Sequence, residues 1–373
     1  MNPLLFFIAF LSVFILLNFY ISRRLISHLD ISNRKKNYFR AFLFVNLLGI
    51  IGYVLGRYLI DMPNWLYFLF SLPIGVLFLL FCTTLVYDVS RVVLVRAPLS
   101  NSRRAFFKKS LDVSSLAVAT AVTSTAIFEA RFVEIESVDI KLKKLKKRYK
   151  IVQLSDVHIG GLIDAAFITE IVKKVNALRP DLVVITGDLI DMDIEKIQAP
   201  IEVLQKLQSL YGTYFIVGNH EYFHDVEAIT QKMKSIGARV LENENVYIGN
   251  EEEGFNLAGV YDIFGYRAGH HFPEINQALQ NVQKESPTVL LAHQPKFVEE
   301  VKSGVDLMLS GHTHGGQLYP FRFLVALQQP YISGLHQHNE ELQVYVNKGT
   351  GFWGPPMRLG ASSEITEINL LPV

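Results

Sequence analysis

Long apolar runs at the start of this 373-residue chain restrict its N-terminal part to helices in a membrane. They cover residues 3–20, 41–60 and 62–87, and each can cross a bilayer core, which takes ~20 residues in a helix. A fourth run, residues 111–128, carries Asp112 near its start and fits either a fourth span or a buried helix of a soluble domain. The sequence therefore predicts a transmembrane region, residues 1–130, with about four helices.

Basic residues flank the apolar runs unevenly. Those after the first and third runs are Arg23, Arg24, Arg34, Lys35, Lys36, Arg40, Arg91, Arg96, Arg103, Arg104, Lys108 and Lys109. The positive-inside rule places both loops in the cytoplasm, so four crossings put residues 131–373 on the extracytoplasmic side of the cell (inner) membrane. A basic run between Lys141 and Lys150 opposes this, and without a fourth crossing the domain is cytoplasmic. Residues 133–142 alternate like an edge strand, so the basic run also fits a hairpin turn of the folded domain. We expect the extracytoplasmic side.

The stretch Ser102-Arg103-Arg104-Ala105-Phe106-Phe107-Lys108 is similar to the twin-arginine export motif. It therefore suggests the twin-arginine translocation machinery as a partner, although a plain basic cluster beside a membrane span explains it equally well. Both interpretations predict the same topology. The formal net charge of +1 argues against a nucleic-acid partner, and the single cysteine, Cys82, excludes a disulfide within the chain.

Beyond the membrane region, short apolar runs repeatedly end in polar turns. Such runs are typical of strands buried on both faces. The five turns are Ser155-Asp156-Val157-His158, Gly187-Asp188-Leu189-Ile190-Asp191, Gly218-Asn219-His220-Glu221, Ala292-His293-Gln294-Pro295 and Gly311-His312-Thr313-His314-Gly315-Gly316-Gln317. A lone His-x-His pair in a loop is usually accidental. Five turns that together offer carboxylate, imidazole and amide oxygen predict a metal site.

In order and local spelling, these turns resemble the calcineurin-like metallophosphoesterase family. The segment Gly349-Thr350-Gly351-Phe352-Trp353-Gly354-Pro355-Pro356-Met357-Arg358 resembles a C-terminal loop of the membrane-associated, often twin-arginine-exported bacterial branch of that family. The family pattern is Asp-x-His, Gly-Asp-x-x-Asp, Gly-Asn-His-Asp/Glu, His and Gly-His-x-His, and the resemblance covers roughly residue 149 to the C-terminus. It implies an α/β (α+β) fold, a four-layer α/β-β/α sandwich over residues 131–373. Helical spacing after Asp164 and before Gly237 is consistent with such a domain.

The resemblance also assigns a site for two divalent metal ions. Asp156, His158 and His314 would bind the first ion, Asn219, His293 and His312 the second, and Asp188 would bridge them. This mixed oxygen and nitrogen set suits manganese, iron or zinc. A hydroxide activated by both ions would attack phosphorus. His220 would contact the phosphoryl oxygen or protonate the leaving group, oriented by Asp191. The other interpretation of His220 is a side chain that caps its own turn.

A few further residues are open to two interpretations. Glu221 supports the ligands or begins a solvated turn, and Asp262 lies near the site or in an ordinary turn. Arg358 meets an anionic substrate or lies on the surface. Trp353 contacts lipid or packs in the sandwich.

The sequence is compatible with three functions. The first is a membrane-anchored phosphoesterase acting on a cell-envelope, lipid or cell-wall substrate. The second is a cytoplasm-facing pyrophosphohydrolase of a nucleotide-linked lipid precursor. The third is a non-catalytic membrane sensor, which a missing ligand would favour, and no ligand of the pattern is missing.

Overall fold

The computed structural model describes residues 3–373, which divide into two compact units. The first contains the described residues up to Phe128 together with the segment Gly354–Leu359. The second contains Glu129–Trp353 and Gly360–Val373. Residues 1 and 2 of the predicted membrane region lie outside the described residues.

Long helices build the first unit. They are α1 (Pro3–Arg24), α2 (Asn33–Tyr58), α3 (Asn64–Arg96) and α4 (Asn101–Glu129). All four are long and apolar enough to cross a membrane. They extend beyond most of the predicted runs because polar residues can continue a helix outside the bilayer core. The 33 residues of α3, for example, span about 50 Å at 1.5 Å per residue.

Charged side chains pair where the end of α1, the last third of α3 and the start of α4 meet. The Arg24 guanidinium donates to the Asp88 carboxylate, with Nε at 2.9 Å. The Lys108 ammonium donates to both oxygens of Asp112 at 2.6 Å, and the Tyr87 hydroxyl donates to Asp112 at 2.8 Å. A buried carboxylate needs such partners, so these contacts stabilise the packing of the helices.

One residue of the twin-arginine stretch caps a helix. The Arg104 guanidinium donates to the backbone carbonyls of Val95, Ala97 and Leu99, where α3 ends. The last carbonyls of a helix lack partners within it, and a cation also interacts favourably with that end of the helix dipole. Arg104 therefore has a structural role in the connection between α3 and α4.

The segment Gly354–Leu359 packs within the first unit, although it lies far along the chain from the four helices. The Met357 side chain lies against Gly75 of α3, where a Cβ atom would collide with its sulfur. The Arg358 backbone N–H donates to the Ala126 carbonyl of α4 at 2.8 Å. Arg358 is 0% exposed, so the expectation of a surface arginine is wrong. The continuous boundary drawn from the sequence did not include this segment.

Two six-stranded sheets form the centre of the second unit, with strand orders β1-β12-β2-β3-β4-β5 and β10-β11-β9-β8-β7-β6. The strands are β1 (Val133–Leu142), β2 (Tyr149–Leu154), β3 (Leu182–Thr186), β4 (Thr213–Ile216), β5 (Ala238–Val240), β6 (Glu244–Ile248), β7 (Phe255–Gly259), β8 (Thr288–Leu291), β9 (Leu307–Ser310), β10 (Gly334–Gln337), β11 (Gln343–Val346) and β12 (Ser363–Pro372). The helices are α5 (Ala165–Ala177), α6 (Gln198–Leu204), α7 (Val226–Ser235), α8 (Gly265–Ala268), α9 (Ile275–Ala278) and α10 (Arg322–Val325).

Alternating side chains of each strand fill different layers of the core. In β3, Leu182 and Val184 join the cluster between the sheets, and Val183 and Ile185 pack under α5, α6 and α7. The second sheet is covered on its outer face by α9 and by residues 295–300. Burial on both faces explains why these strands are continuous apolar runs. The predicted four-layer mixed α/β architecture is confirmed.

The structure confirms the predicted helix cap at Asp164 and the predicted edge strand β1, but the connection after β1 differs from the predicted hairpin turn. The Asp164 carboxylate caps α5 by accepting from the Phe167 N–H at 3.0 Å, and β1 is an edge strand. The basic run after β1 is not a hairpin turn, however. β1 pairs with β12 in parallel, and β2 pairs with the other side of β12 antiparallel. The basic run therefore crosses from one side of β12 to the other, a pairing that the local sequence does not reveal.

Candidate metal centre

The predicted ligands meet because five strands end at one place. β2, β3 and β4 run parallel in one sheet, and β8 and β9 run parallel in the other. Turns after the carboxyl ends of parallel strands lie along one edge of a sheet, which is where such folds bind ligands. The nine side chains predicted for the site all follow these ends: Asp156, His158, Asp188, Asp191, Asn219, His220, His293, His312 and His314.

Three triads of ligand atoms form within this edge, and in each triad the atoms lie within 4.8 Å of one another. The first is Asp156, His158 and His314, the second is Asp188, His293 and His312, and the third is His158, Asp191 and His220. The first two correspond to the two ions that the family resemblance implies. Asn219 adjoins the second triad, with its Oδ1 3.2 Å from His293 Nε2.

The backbone in these turns is held in a sparsely populated conformation. Positive φ angles occur at Asp156, His158, Asp188, His312 and His314, with values from 48° to 70°. Non-glycine residues seldom adopt this region, and local strain of this kind concentrates at functional sites. The turns also need glycine beside them. A Cβ atom on Gly311 would collide with the side chains of Ser155 and Asp156.

Hydrogen bonds from neighbouring groups fix the two buried aspartates. Asp156 accepts from the Ser155 hydroxyl at 2.6 Å and from the His312 backbone N–H at 2.9 and 3.0 Å. Asp188 accepts from the His220 backbone N–H at 2.8 Å. The loop after β9 thus positions Asp156, which follows β2. The loop after β4 positions Asp188, which follows β3.

Glu221 is buried and forms hydrogen bonds with the backbone of the turn that contains Asp188. Its carboxylate accepts from the backbone N–H groups of Asp188, Leu189, Ile190 and Gly218 at 2.6 to 3.1 Å. Burial and the nearby charge of Asp188 raise the pKa of Glu221 to about 7. The supporting interpretation is therefore correct and the solvated turn is wrong. The final residue of Gly-Asn-His-Glu was the signal for this contact.

The donor set fits metal ions by its own chemistry. His293 Nδ1 donates to the Thr186 carbonyl at 2.8 Å, so the lone pair of a neutral ring is on Nε2. That atom lies 3.2 Å from Asp188 Oδ2 and 3.2 Å from Asn219 Oδ1, which are both acceptors. Only a cation, either a proton or a metal ion, can satisfy three lone pairs that face one another.

The electrostatics of the site show the same need for positive charge. Burial opposes a charge on His293, but the carboxylates of Asp188, Asp156 and Asp262 together outweigh burial and hold the pKa of His293 well above its ordinary value. Burial also opposes ionisation of Asp188, yet His293 and His220 keep its pKa well below the usual range. Burial raises the pKa of Asp156 to about 6. Burial and His293 lower the pKa of His312 to about 3, so its imidazole is neutral at pH 7, the form that binds metal.

His220, in the third triad, lies beside the first two and has an orienting partner. Its Nδ1 is 2.7 Å from Asp191 Oδ1, which directs Nε2 towards Asp188 at 3.8 Å. Trp353 packs edge-on against the His220 ring, with ring centroids 6.0 Å apart. Trp353 is 49% exposed, so it is not a buried aromatic residue of the sandwich. The neighbouring Phe352 is buried, as that expectation requires.

Asp262 is a second buried carboxyl near this edge. It is 2% exposed, and its Oδ1 accepts from the Gln294 side chain at 2.9 Å, directly after the ligand turn that contains His293. Burial raises the pKa of Asp262 to about 6. Asp262 also begins a turn, because its backbone carbonyl accepts from the Gly265 N–H at 3.0 Å, so both interpretations of this residue describe it.

Comparison with known proteins gives consistent matches. The family described as calcineurin-like phosphoesterase matches residues 149–316. An uncharacterized metallophosphoesterase of Helicobacter pylori is 37% identical over 369 residues, 98% of either chain. A transmembrane protein with metallophosphoesterase domain of Danio rerio is 36% identical over 249 residues, 64% of this chain and 57% of that one. A solved dimetal phosphatase of Danio rerio aligns with a TM-score of 0.36 and 11% identity, covering 54% of this chain and 87% of that one.

Proposed function

Because this chain belongs to the calcineurin-like phosphoesterase family, we propose that it is a membrane-anchored, metal-dependent hydrolase of phosphate esters with a lipid or other cell-envelope substrate. One observation supports the catalytic part of this proposal. Seven candidate oxygen and nitrogen ligands from both sheets converge on one edge, and the lone pairs of His293 Nε2, Asp188 and Asn219 face one another around a position that only a proton or a metal ion can fill. Four apolar helices in the same chain carry the membrane part.

The ligands divide between two ions. Asp156, His158 and His314 would hold one, Asn219, His293 and His312 would hold the other, and Asp188 would serve both. Manganese, iron and zinc all suit this mixture of carboxylate, amide and imidazole ligands. When bound, the pair of ions would activate water as the nucleophile and neutralise charge on the phosphoryl oxygens.

The protein's own residues bind the phosphate and move the proton. His220 Nε2 faces the ligand cluster, because Nδ1 is held by Asp191. In that orientation a protonated His220 donates to a phosphoryl oxygen or to the departing alkoxide, and Asp191 stabilises its positive charge. The nucleophilic oxygen joins phosphorus, the ester P–O bond breaks, and the alkoxide leaves with a proton.

We expect the purified full chain, reconstituted in lipid nanodiscs, to hydrolyse bis-p-nitrophenyl phosphate or p-nitrophenyl phosphate with added Mn²⁺. A chelator should remove this activity, and Mn²⁺ should restore it, because the buried carboxylates and imidazoles are the ligands. The release of p-nitrophenolate measures both reactions, and the preferred ester distinguishes diesterase from monoesterase. Activity that survives complete metal removal would contradict the proposal.

We expect the second unit to lie on the extracytoplasmic side. The basic loops after α1 and after α3 would then face the cytoplasm, and the short connection between α2 and α3, with Asp61 as its charged residue, would face outwards. β-Lactamase fused after Val373 should protect cells from ampicillin, since it does so only outside the cytoplasm, whether it is exported unfolded or already folded.

The same fusion at residues 97–100, between α3 and α4, provides the control and should give no protection. A C-terminal fusion that gives no protection would instead support the cytoplasm-facing pyrophosphohydrolase, which the basic run after α4 favours. Changing Arg103 and Arg104 together to lysine separates the two interpretations of the motif. Loss of export would indicate a twin-arginine signal, and unchanged export would indicate a basic cluster whose charge suffices.

A further inference from the structure

An apolar surface adjoins the candidate metal centre within the second unit. We call it the apolar rim, and its residues are Tyr319, Phe321, Phe323, Leu324, Leu327 and Trp353. All are exposed large hydrophobic side chains, and Leu327 is the most exposed of them at 82%. Five of the six lie within nine consecutive residues around α10. Contiguous exposed apolar surface on a soluble domain marks an interaction site.

The rim is connected to the site through Gln317 and Trp353. Gln317 follows the His314 loop, and its side chain donates to the Trp353 carbonyl at 2.8 Å and accepts from the Trp353 N–H at 3.0 Å. The Trp353 ring in turn packs against His220. The residues that follow the last metal ligand therefore continue directly into the exposed apolar side chains.

The short links between the two units indicate what the apolar rim binds. α4 ends at Glu129 and β1 begins at Val133, so few residues link the second unit to an apolar helix. Trp353 is followed directly by Gly354, the first residue of the segment that belongs to the unit of apolar helices. At ~3.5 Å per extended residue, both links are short. The second unit is thus tethered to a bilayer by short links, which gives the bilayer a high effective concentration at this domain.

We propose that the apolar rim inserts into the interface of the bilayer and that the substrate is a phosphate ester of a bilayer lipid, which reaches the site laterally past Trp353. This inference rests on the proposed hydrolase function and specifies its substrate class. Aromatic and leucine side chains with an adjacent cation are the usual composition of an interfacial segment, and Arg322 supplies that cation. Hydrolysis would break one ester P–O bond of the lipid phosphate, the departing oxygen would leave with a proton from His220, and the nucleophilic oxygen would remain on phosphorus.

A matched pair of substrates tests the lipid preference. Both are p-nitrophenyl phosphodiesters: dioleoylphosphatidyl-p-nitrophenol, placed in nanodiscs of phosphatidylcholine and phosphatidylglycerol with the full chain, and soluble bis-p-nitrophenyl phosphate. Replacing Leu324 and Leu327 with serine should lower kcat/KM for the lipid about tenfold or more, since burying one leucine contributes about 1.5 to 3 kcal/mol. Hydrolysis of the soluble ester should not change.

Leu210 provides the matched control. It is an exposed leucine, 72% accessible, in the connection before β4, at the opposite ends of the strands from the ligand turns. Leu210→Ser should leave the hydrolysis of both esters unchanged. Equal losses on both esters in the Leu324 and Leu327 variant would indicate structural damage and overturn the proposal, as would unchanged hydrolysis of the lipid.

A fluorescent label tests insertion without any reference to activity. In a Cys82→Ser background, the environment-sensitive fluorophore NBD is attached at Leu327→Cys or at Leu210→Cys, with one chain per nanodisc. The label at 327 should emit further to the blue and be quenched by spin-labelled lipid, and the label at 210 should not. An aqueous label at 327, or a shift that requires a second copy of the chain, would overturn docking to the bilayer. Insertion of the label without hydrolysis of either ester would contradict the proposed function but would still support docking of the apolar rim to the bilayer.

Discussion

Asp188→Asn is expected to lower kcat/KM for bis-p-nitrophenyl phosphate by about 10³-fold or more. Metal ions contribute several kcal/mol of transition-state stabilisation, and each 1.36 kcal/mol is a tenfold change in rate. Asp188 is the carboxylate that we propose both ions share, so a neutral amide there should weaken the binding of both ions. Stopped assays with Mn²⁺, together with metal content per chain by mass spectrometry, measure the two effects.

The substitution is informative because it should leave the fold intact. Asparagine matches aspartate in size, and its amide oxygen can still accept from the His220 backbone N–H, which now donates to Asp188 at 2.8 Å. Glu195→Gln is the control, since it neutralises an exposed carboxylate in the connection between β3 and α6. Wild-type turnover in Asp188→Asn, with both ions still bound, would refute the site assignment.

Local sequence was sufficient to predict most of what builds the site. Each ligand follows a strand that is buried on both faces, so its apolar run and the polar turn after it are adjacent in sequence. A pattern that needs only one strand and one turn can be recognised without knowing the rest of the fold. The cap at Asp164 and the edge strand β1 are local in the same sense.

Contacts between distant parts of the chain could not be predicted in this way. β1 pairs with β12, more than 200 residues later, and Gly354–Leu359 packs with the N-terminal helices. The buried position of Arg358 depends on that packing, and nothing in the neighbouring Gly354-Pro355-Pro356 turn indicates it. Likewise, the contact between Trp353 and His220 arises only because the turns after β4 and β11 meet at one edge of the sandwich.

These long-range contacts change what the site suggests about substrates. From sequence, the two-ion pattern is equally compatible with monoesters, diesters and pyrophosphates. In the folded protein, the last ligand loop continues through Gln317 to Trp353 and the apolar rim. We therefore propose that side chains outside the motif set specificity, and their exposure and the short links to the apolar helices favour a lipid substrate.

His220→Ala should keep both metal ions and reduce kcat by about 100-fold, the loss typical of removing a general acid. Metal should be retained because Asp188 is positioned by the His220 backbone N–H, which alanine preserves, and not by the imidazole. Metal content and kcat with Mn²⁺ are the measurements. His338→Ala, at an exposed histidine outside the motif turns, should leave both unchanged. Loss of metal in His220→Ala would show that this residue is a ligand.

Asp191 provides the second half of this prediction, because it acts through His220 rather than on the substrate. Asp191→Ala removes the partner of Nδ1, which lies 2.7 Å away, so the ring loses its orientation and the support for its positive charge. Its kcat should fall less than that of His220→Ala, and the pH at which activity declines should drop, since an imidazolium without a carboxylate loses its proton more readily. In the His220→Ala background, Asp191→Ala should cause no further loss, because the two residues form one unit. An additive loss in the double variant would mean that Asp191 binds metal or substrate itself.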